Sequence, residues 1–161
     1  MFSKEEKQNI AKIKKLIRIR DFEKIEMGIE LVRSINNPKI FDELLGNIEL
    51  DKWGKGFKHD WKGAGPDEHY FQTAILGLLN FSPKGSKGYE IRDSIQTLIL
   101  EGEIKSGYSY IRSKVYLKYL SNFSNLKILK IKNYKEIVGF EEIYVLPLEG
   151  LDLDRGYTLP N

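Results

Sequence analysis

The sequence contains no cysteine and only two histidines among its 161 residues. Without cysteine, the chain has no disulfide, no thiolate nucleophile and no cysteine-ligated zinc. The absence also fits a reducing compartment. The first residues are charged where a secretion signal would have its apolar core, so we expect a cytoplasmic protein.

Long apolar runs and a one-sided charge are also missing. The longest apolar run, Ala74 to Leu79, is far shorter than the ~18 to 20 residues that a membrane-spanning helix needs. The 26 basic and 23 acidic residues, a net charge of +3, are mostly interspersed. Nucleic-acid binding usually shows as a one-sided basic surface, which these totals do not indicate. We expect a soluble protein without membrane contact.

Catalytic motifs are largely absent. No serine lies in a nucleophile elbow, and neither G-x-x-x-x-G-K-[ST] nor a strand-linked G-x-G-x-x-G occurs. His59-Asp60 and Asp67-Glu68-His69 together permit a two-histidine, one-carboxylate metal site. The ordinary interpretation is that the acids serve a helix N-terminus and that the histidines lie near the surface. We therefore expect no enzyme activity, cofactor or metal, although a hydrolase of unfamiliar type with a deep acidic pocket stays open.

Apolar residues recur at helical spacing in residues 3 to 45, which predicts three helices. Ser3 and Glu6 form a capping box, and Asp21 can cap the second helix. Pro38 suits the first position of the third helix, because a backbone N–H at that position has no hydrogen-bond partner within the helix. Short connections make these helices antiparallel hairpins.

The middle of the chain is rich in glycine and proline. Residues 51 to 66 show no sustained period and are predicted to form a loop. A fourth helix is expected over residues 67 to 80, and residues 82 to 88 (SPKGSKG) resemble a linker. This linker suggests two subdomains, a helical one over residues 1–81 and another over residues 89–161.

A short apolar triplet recurs three times in the second part. Each copy has leucine or isoleucine at its first, fourth and sixth positions. The copies are Ile95-x-x-Leu98-x-Leu100, Leu126-x-x-Leu129-x-Ile131 and Leu148-x-x-Leu151-x-Leu153. Alternate side chains of a strand point to one side, so each triplet predicts a strand with one buried face. We predict three parallel strands near residues 97 to 101, 127 to 132 and 149 to 154.

Charge supports a parallel, in-register pairing of these strands. Aligning the copies sets Lys132 beside both Glu101 and Asp154, and it sets Lys130 beside Asp152. Opposite charges on adjacent strands stabilise a pairing by ~0.2 to 1 kcal/mol per contact. A wrong register would more often bring like charges together.

The triplets resemble the leucine-rich repeat, L-x-x-L-x-L-x-x-N/C, whose period is ~20 to 29 residues. At the ninth position, Glu103, Tyr134 and Gly156 replace the asparagine, and the first interval is long. Over residues 91 to 156 the chain is similar to bacterial leucine-rich-repeat proteins of unassigned role. We expect an α+β fold, with N-terminal helical hairpins followed by a short leucine-rich-repeat-like parallel sheet.

The outward positions of the three strands form the predicted binding face, because repeat proteins commonly bind through their sheet side. The predicted binding residues are Thr97, Ile99, Glu101, Ile128, Lys130, Lys132, Asp152 and Asp154, with Gly150 between them. Ile99 and Ile128 would be exposed on this face, so we expect either a partner or the N-terminal helices to cover them. The leading hypothesis is a non-enzymatic protein–protein interaction module. The last strand would be an edge, covered by another copy or by further chain.

The alternative hypothesis is a single-strand nucleic-acid-binding protein that uses the loop at residues 51 to 66. Its basic and aromatic residues are Trp53, Lys55, Lys58, Trp61 and Lys62. Such mixtures can stack on unpaired bases. The opposite interpretation, which we favour, is that both tryptophans fold inward. A tyrosine-rich tract fits either an interface or the outer side of the repeats, and it comprises Tyr108, Tyr110, Tyr116 and Tyr119.

Overall fold

The computed structural model describes residues 1–61, 68–102 and 114–153. The chain begins with three helices: α1 (Lys4–Ile17), α2 (Phe22–Ile35) and α3 (Pro38–Leu45). The predicted capping box is present, because the Ser3 hydroxyl accepts from the Glu6 N–H and the Glu6 carboxylate accepts from the Ser3 N–H. Asp21 and Asn37 cap the next two helices through their side chains. The prediction of three N-terminal helices is confirmed.

A glycine sets the close approach of α1 and α2. A Cβ at Gly28 would lie 2.5 Å from the Cγ2 atom of Ile17 and 3.1 Å from the Cβ atom of Leu16. Real side chains do not tolerate such a distance, so glycine is required where the two helices cross. Ile13, Ile17 and Ile25 are buried around the crossing.

A small hairpin follows the helices. Strands β1 (Ile48–Leu50) and β2 (Phe57–His59) pair antiparallel. The prediction of a loop from 51 to 66 is therefore wrong for β2, which lies inside that range. A three-residue strand is too short to show a period, so its partner across the turn, and not its own pattern, defines it.

Two packed helices come next, α4 (Glu68–Phe81) and α5 (Lys87–Ser94). The fourth helix was expected over 67 to 80, and its described part agrees closely. The predicted linker, residues 82 to 88, is shorter in the structure because α5 already begins at Lys87. Ser86 is the N-cap of α5, because its hydroxyl accepts from the Tyr89 N–H. The Asp42 carboxylate of α3 also accepts from the N–H groups of Lys87 and Gly88. The N-cap serine is a local signal within the predicted linker, whereas the contact with Asp42 comes from a distant helix.

A three-stranded parallel sheet forms the second part of the fold. Its strands are β3 (Thr97–Glu101), β5 (Ile128–Lys132) and β7 (Gly150–Leu153), in the order β3-β5-β7. Leu98 pairs with Leu129, which pairs with Leu151, so the three triplets lie side by side. The predicted bounds hold to within one residue at each described end. The α+β prediction is confirmed.

A second parallel sheet of two short strands accompanies the first. Strands β4 (Lys114–Tyr116) and β6 (Glu136–Val138) pair in register, and each is followed closely by a 3₁₀ helix, Leu117–Leu120 and Phe140–Val145 respectively. The chain thus passes twice through the order short strand, 3₁₀ helix, longer strand. We call residues 114–135 the first turn and residues 136–153 the second turn.

One hydrophobic core runs through the helices and the sheets. It includes Ile29 of α2, Ile75 of α4, Leu98 of β3 and Leu129 of β5 in a single cluster. The fold therefore places the strands against the helical part through their buried faces. No helix among the described residues is long and apolar enough to cross a membrane.

Candidate functional site

The predicted binding residues lie together on the outward face of the three-stranded sheet. Leu98, Leu100, Leu129 and Ile131 are fully buried on the inner side. The strand pattern alternates, so the intervening side chains lie on the opposite side. This sheet face consists of Thr97, Ile99, Glu101, Ile128, Lys130, Lys132, Gly150 and Asp152. Asp154 lies outside the described residues.

Charged side chains on the sheet face have the predicted neighbours. Glu101 pairs in register with Lys132, and Lys130 with Asp152. Neither pair is among the salt bridges of the described residues, and the Glu101 carboxylate instead accepts from the Asn133 amide at 3.3 Å. These charges therefore border the face without being neutralised by direct contact.

The centre of the sheet face is apolar. Ile128 is 37% exposed and Ile99, its diagonal neighbour on the adjacent strand, is half-buried. Diagonal neighbours lie close enough for their side chains to form one continuous patch. Both side chains are partly exposed, so solvent or a partner can reach this patch.

The hairpin tip between β1 and β2 extends the sheet beyond β3. The Gly54 carbonyl accepts from the Ile99 N–H at 2.7 Å, and Lys55 forms a parallel bridge with Ile99. Gly54 has a φ of +79°, and a Cβ there would lie 3.0 Å from the Thr97 carbonyl oxygen. A cavity of about 100 Å³ lies beside this contact, and Phe57 is part of its lining.

The two tryptophans of the predicted loop behave differently. Trp61 is buried and its Nε1–H donates to the Leu45 carbonyl at 2.9 Å. Trp53 is 67% exposed, with the Lys52 ammonium 5.0 Å from its ring centroid. The inward prediction is correct for Trp61 and wrong for Trp53. Lys62 lies outside the described residues.

Trp61 forms a polar cluster with Arg18. The Arg18 guanidinium lies 4.3 Å above the Trp61 ring centroid and donates to the Leu44 carbonyl at 3.1 Å. Burial lowers the pKa of Arg18, and the nearby Asp60 partly opposes this. Both side chains thus satisfy carbonyls at the C-terminus of α3, where backbone acceptors have no helical partner. Arg18 also lines a cleft of about 630 Å³, whose charged lining includes Lys14, Glu43 and Asp60.

The histidines show no metal geometry in the described part of the chain. The His59 Nδ1 atom accepts from the Trp61 N–H at 3.2 Å, which assigns His59 a local structural contact. The side chains of Asp67, Glu68 and His69 lie outside the described residues. Residues 1–61, 68–102 and 114–153 contain no group of three metal-ligating side chains.

The tyrosine tract packs inward where it is described. Tyr119 is buried, and burial together with the nearby Glu26 raises its pKa. Tyr116 is half-buried and contacts the Phe22 ring, with centroids 5.1 Å apart. These two tyrosines join the first turn to α2, and Tyr108 and Tyr110 lie outside the described residues.

The sequence predicted the last strand as an edge, but it did not predict the exposed apolar side chains on and near β7. Tyr144 and Val145 are each 75% exposed, and Leu151 is 43% exposed. Leu98 and Leu129 occupy the same triplet position as Leu151, yet both are fully buried. Leu151 of the last strand is therefore partly exposed, whereas the equivalent leucines of the other two strands are buried.

A charge pattern also distinguishes the two turns, and it was available in the sequence. The first turn has six lysines and no acid, whereas the second has five acids and no lysine, arginine or histidine. The turns stack on each other, so Lys114 lies beside Glu136 in one sheet and Lys130 beside Asp152 in the other. Counting charge by turn would have identified this basic-on-acidic stacking.

Comparisons with protein families, with curated proteins and with solved structures found no match to this chain. The functional proposals therefore depend on the structure alone, at the sheet face, at the hairpin tip and around strand β7.

Proposed function

We propose that this chain is a non-enzymatic protein–protein interaction module whose contact surface is the sheet face. The observation that supports this most directly is the apolar patch of Ile99 and Ile128 at the centre of that face. Lys130, Lys132 and Asp152 border it, which gives the apolar-centre, polar-rim arrangement typical of protein interfaces. The cysteine-free sequence supports a cytoplasmic location as part of the same proposal.

We further propose that the two turns are irregular leucine-rich repeats of the kind found in bacterial proteins of unassigned role. The support is the side-by-side alignment of the three Leu/Ile triplets, with a short strand and a 3₁₀ helix between successive longer strands. Repeats of this kind commonly present their parallel sheet to a partner. The sheet face occupies the corresponding position in this chain.

Ile128→Glu is expected to abolish partner binding through the sheet face. A carboxylate at the centre of an apolar contact would be buried without a partner, a cost of several kcal/mol. Recovery of the specific partner with tagged protein from the native cell should fall at least about ten-fold, the equivalent of ~1.4 kcal/mol. Quantitative mass spectrometry of the co-purified proteins measures this.

Met27→Glu is the matched control, because Met27 is 52% exposed on α2, away from the sheet face. It introduces the same charge at an exposed apolar site and should leave recovery unchanged. Lys130→Ala and Asp152→Ala test the rim and should reduce recovery without unfolding the chain. Equal recovery with wild type and Ile128→Glu would reject the sheet face as the contact surface.

A second candidate function, single-strand nucleic-acid binding, depends on one observation. Trp53 is exposed at the hairpin tip beside Lys52 and Lys55, which are also exposed. An exposed aromatic ring flanked by cations can stack on an unpaired base. The buried Trp61 no longer contributes a second ring to this surface.

If the hairpin tip binds nucleic acid, Trp53→Ala should weaken binding to a short oligothymidine about ten-fold, because one base–aromatic stack is worth ~1 to 3 kcal/mol. Trp53→Phe keeps a ring and should retain most of the affinity. Fluorescence anisotropy at low ionic strength measures both variants. No binding by the wild type under these conditions would eliminate this candidate.

A further inference from the structure

Strand β7 has one edge paired and one edge open within the described part of the chain. It pairs with β5 on one side, and no other described strand contacts its far side. The Gly150 N–H donates to the Lys127 carbonyl, towards β5. Backbone groups of a parallel strand bond alternately to its two neighbours, so the N–H groups of Leu151 and Leu153 face the open edge. An open edge is a template for another strand.

The charge of the second turn indicates what kind of strand this edge accepts. The second turn carries Glu136, Glu141, Glu142, Glu149 and Asp152 with no basic residue. On its paired side it stacks against the lysine-rich first turn, with an acid beside a lysine in both sheets. Glu149 and Asp152 on and beside β7 are exposed, together with the apolar side chains of Tyr144, Val145 and Leu151. A complementary strand is therefore basic and apolar in alternation.

We propose that the β7 edge binds an extended, lysine- or arginine-bearing segment of a partner protein, which adds to the sheet as a fourth strand parallel to β7. Main-chain hydrogen bonds to Leu151 and Leu153 provide affinity, and cations opposite Glu149 and Asp152 provide specificity. This edge shares Asp152 with the rim of the sheet face but does not include Ile128, so the proposal is tested independently of Ile128.

The same charges disfavour two other occupants. A second copy paired through its own β7 would bring Glu149 and Asp152 close to their equivalents, and like charges on adjacent strands destabilise the pairing. A nucleic acid would place phosphates against five carboxylates without a basic side chain in the second turn. A basic peptide strand meets neither objection.

The chain's own β5 sequence provides a probe of the required chemistry. A labelled peptide with the sequence of residues 125–133, NLKILKIKN, carries the lysines that already lie beside β7 inside the fold. We expect this peptide to bind the full chain in fluorescence anisotropy titrations, with affinity that falls as salt is added. A matched peptide with glutamate in place of its three lysines should bind at least ten-fold more weakly.

Two variants locate the binding at the β7 edge. Asp152→Lys should weaken the lysine peptide at least ten-fold and strengthen the glutamate peptide. Leu151→Pro removes an outward N–H while leaving the inward bond of Gly150, and proline is tolerated at such edge positions. It should abolish binding of both peptides, and circular dichroism checks that each variant stays folded. Ile128→Glu should leave peptide binding unchanged.

Three outcomes would overturn the proposal. The first is equal affinity for the lysine and glutamate peptides. The second is unchanged lysine-peptide binding by folded Asp152→Lys and Leu151→Pro proteins. The third is binding only after removal of residues 154–161, which would assign the edge to that segment of the chain. A loss of natural-partner recovery in Ile128→Glu with none of these outcomes would support both surfaces.

Discussion

Leu129→Ala is expected to lower the free energy of unfolding by about 2 to 5 kcal/mol, the range for a fully buried leucine whose removal leaves a cavity. Leu129 is completely buried at the middle of the three-stranded sheet, between Leu98 and Leu151. Its side chain lies in the core cluster shared by the sheets and the helices. The substitution therefore weakens the hydrophobic packing that holds the three-stranded sheet in place. Urea unfolding followed by the fluorescence of the buried Trp61 measures the change.

Leu151→Ala is the matched control for this prediction. Leu151 has the same position in its triplet, but it is 43% exposed at the open edge. The part of its side chain that folding removes from water is smaller, so we expect a loss of about 1 kcal/mol. Equal losses for the two variants would contradict the burial gradient from β5 to β7, and with it the exposed apolar edge.

Part of this fold was predictable because its determinants are local or periodic. The helix caps at Ser3 and Asp21 depend on side chains within three residues of the groups they bind. The parallel sheet was predictable because Leu98, Leu129 and Leu151 repeat with their flanking charges, and charge complementarity selects one register. Repetition thus supplied the long-range information that a single sequence normally lacks.

The elements that escaped prediction are defined by contacts between distant backbone groups. The Gly54 carbonyl accepts from the Ile99 N–H, a bond that no side-chain pattern encodes. Helix α5 has the local N-cap Ser86, but the Asp42 carboxylate also accepts from Lys87 and Gly88 across a large sequence separation. Strands of three residues, such as Lys114–Tyr116, are too short to display alternation.

The two candidate surfaces also differ in how far the sequence could predict them. The membership of the sheet face was predictable from alternation within the strands, and the structure places all its described residues on one side. Exposure at the β7 edge was not, because the sequence gives Leu151 and Leu129 identical local patterns. Only the position of a strand within the sheet decides which of two equivalent leucines meets solvent.

The C-terminus of α4 makes polar contacts with α5 and with the segment after the first 3₁₀ helix. The last carbonyls of a helix have no intrahelical donor. Here the buried Arg92 of α5 donates to the carbonyls of Leu79, Asn80 and Ser82 at 2.8, 2.8 and 3.2 Å. The side-chain amide of Asn122, after the first 3₁₀ helix, also donates to the Asn80 carbonyl, at 2.8 Å. Burial lowers the pKa of Arg92, and the nearby Tyr89 and Asp93 oppose this shift.

Arg92→Ala is therefore expected to lower the free energy of unfolding by about 3 kcal/mol, since it removes the charge-assisted hydrogen bonds that a buried guanidinium donates to three carbonyls. Arg92→Lys keeps the charge but not the planar fork, so it should recover only part of this loss. Arg33→Ala is the control. Arg33 also lies over an aromatic ring, 4.1 Å from the Phe81 centroid at the end of α4, but it is exposed.

Exposed ion pairs and cation–π contacts contribute little, so the Arg33 variant should lose no more than about 1 kcal/mol. Urea unfolding of the three variants measures these differences. A similar loss for Arg92→Ala and Arg33→Ala would contradict a special role for the buried guanidinium. If Arg92→Ala alone is strongly destabilised, then the end of α4 is a polar joint on which the adjoining helix and the first turn both depend.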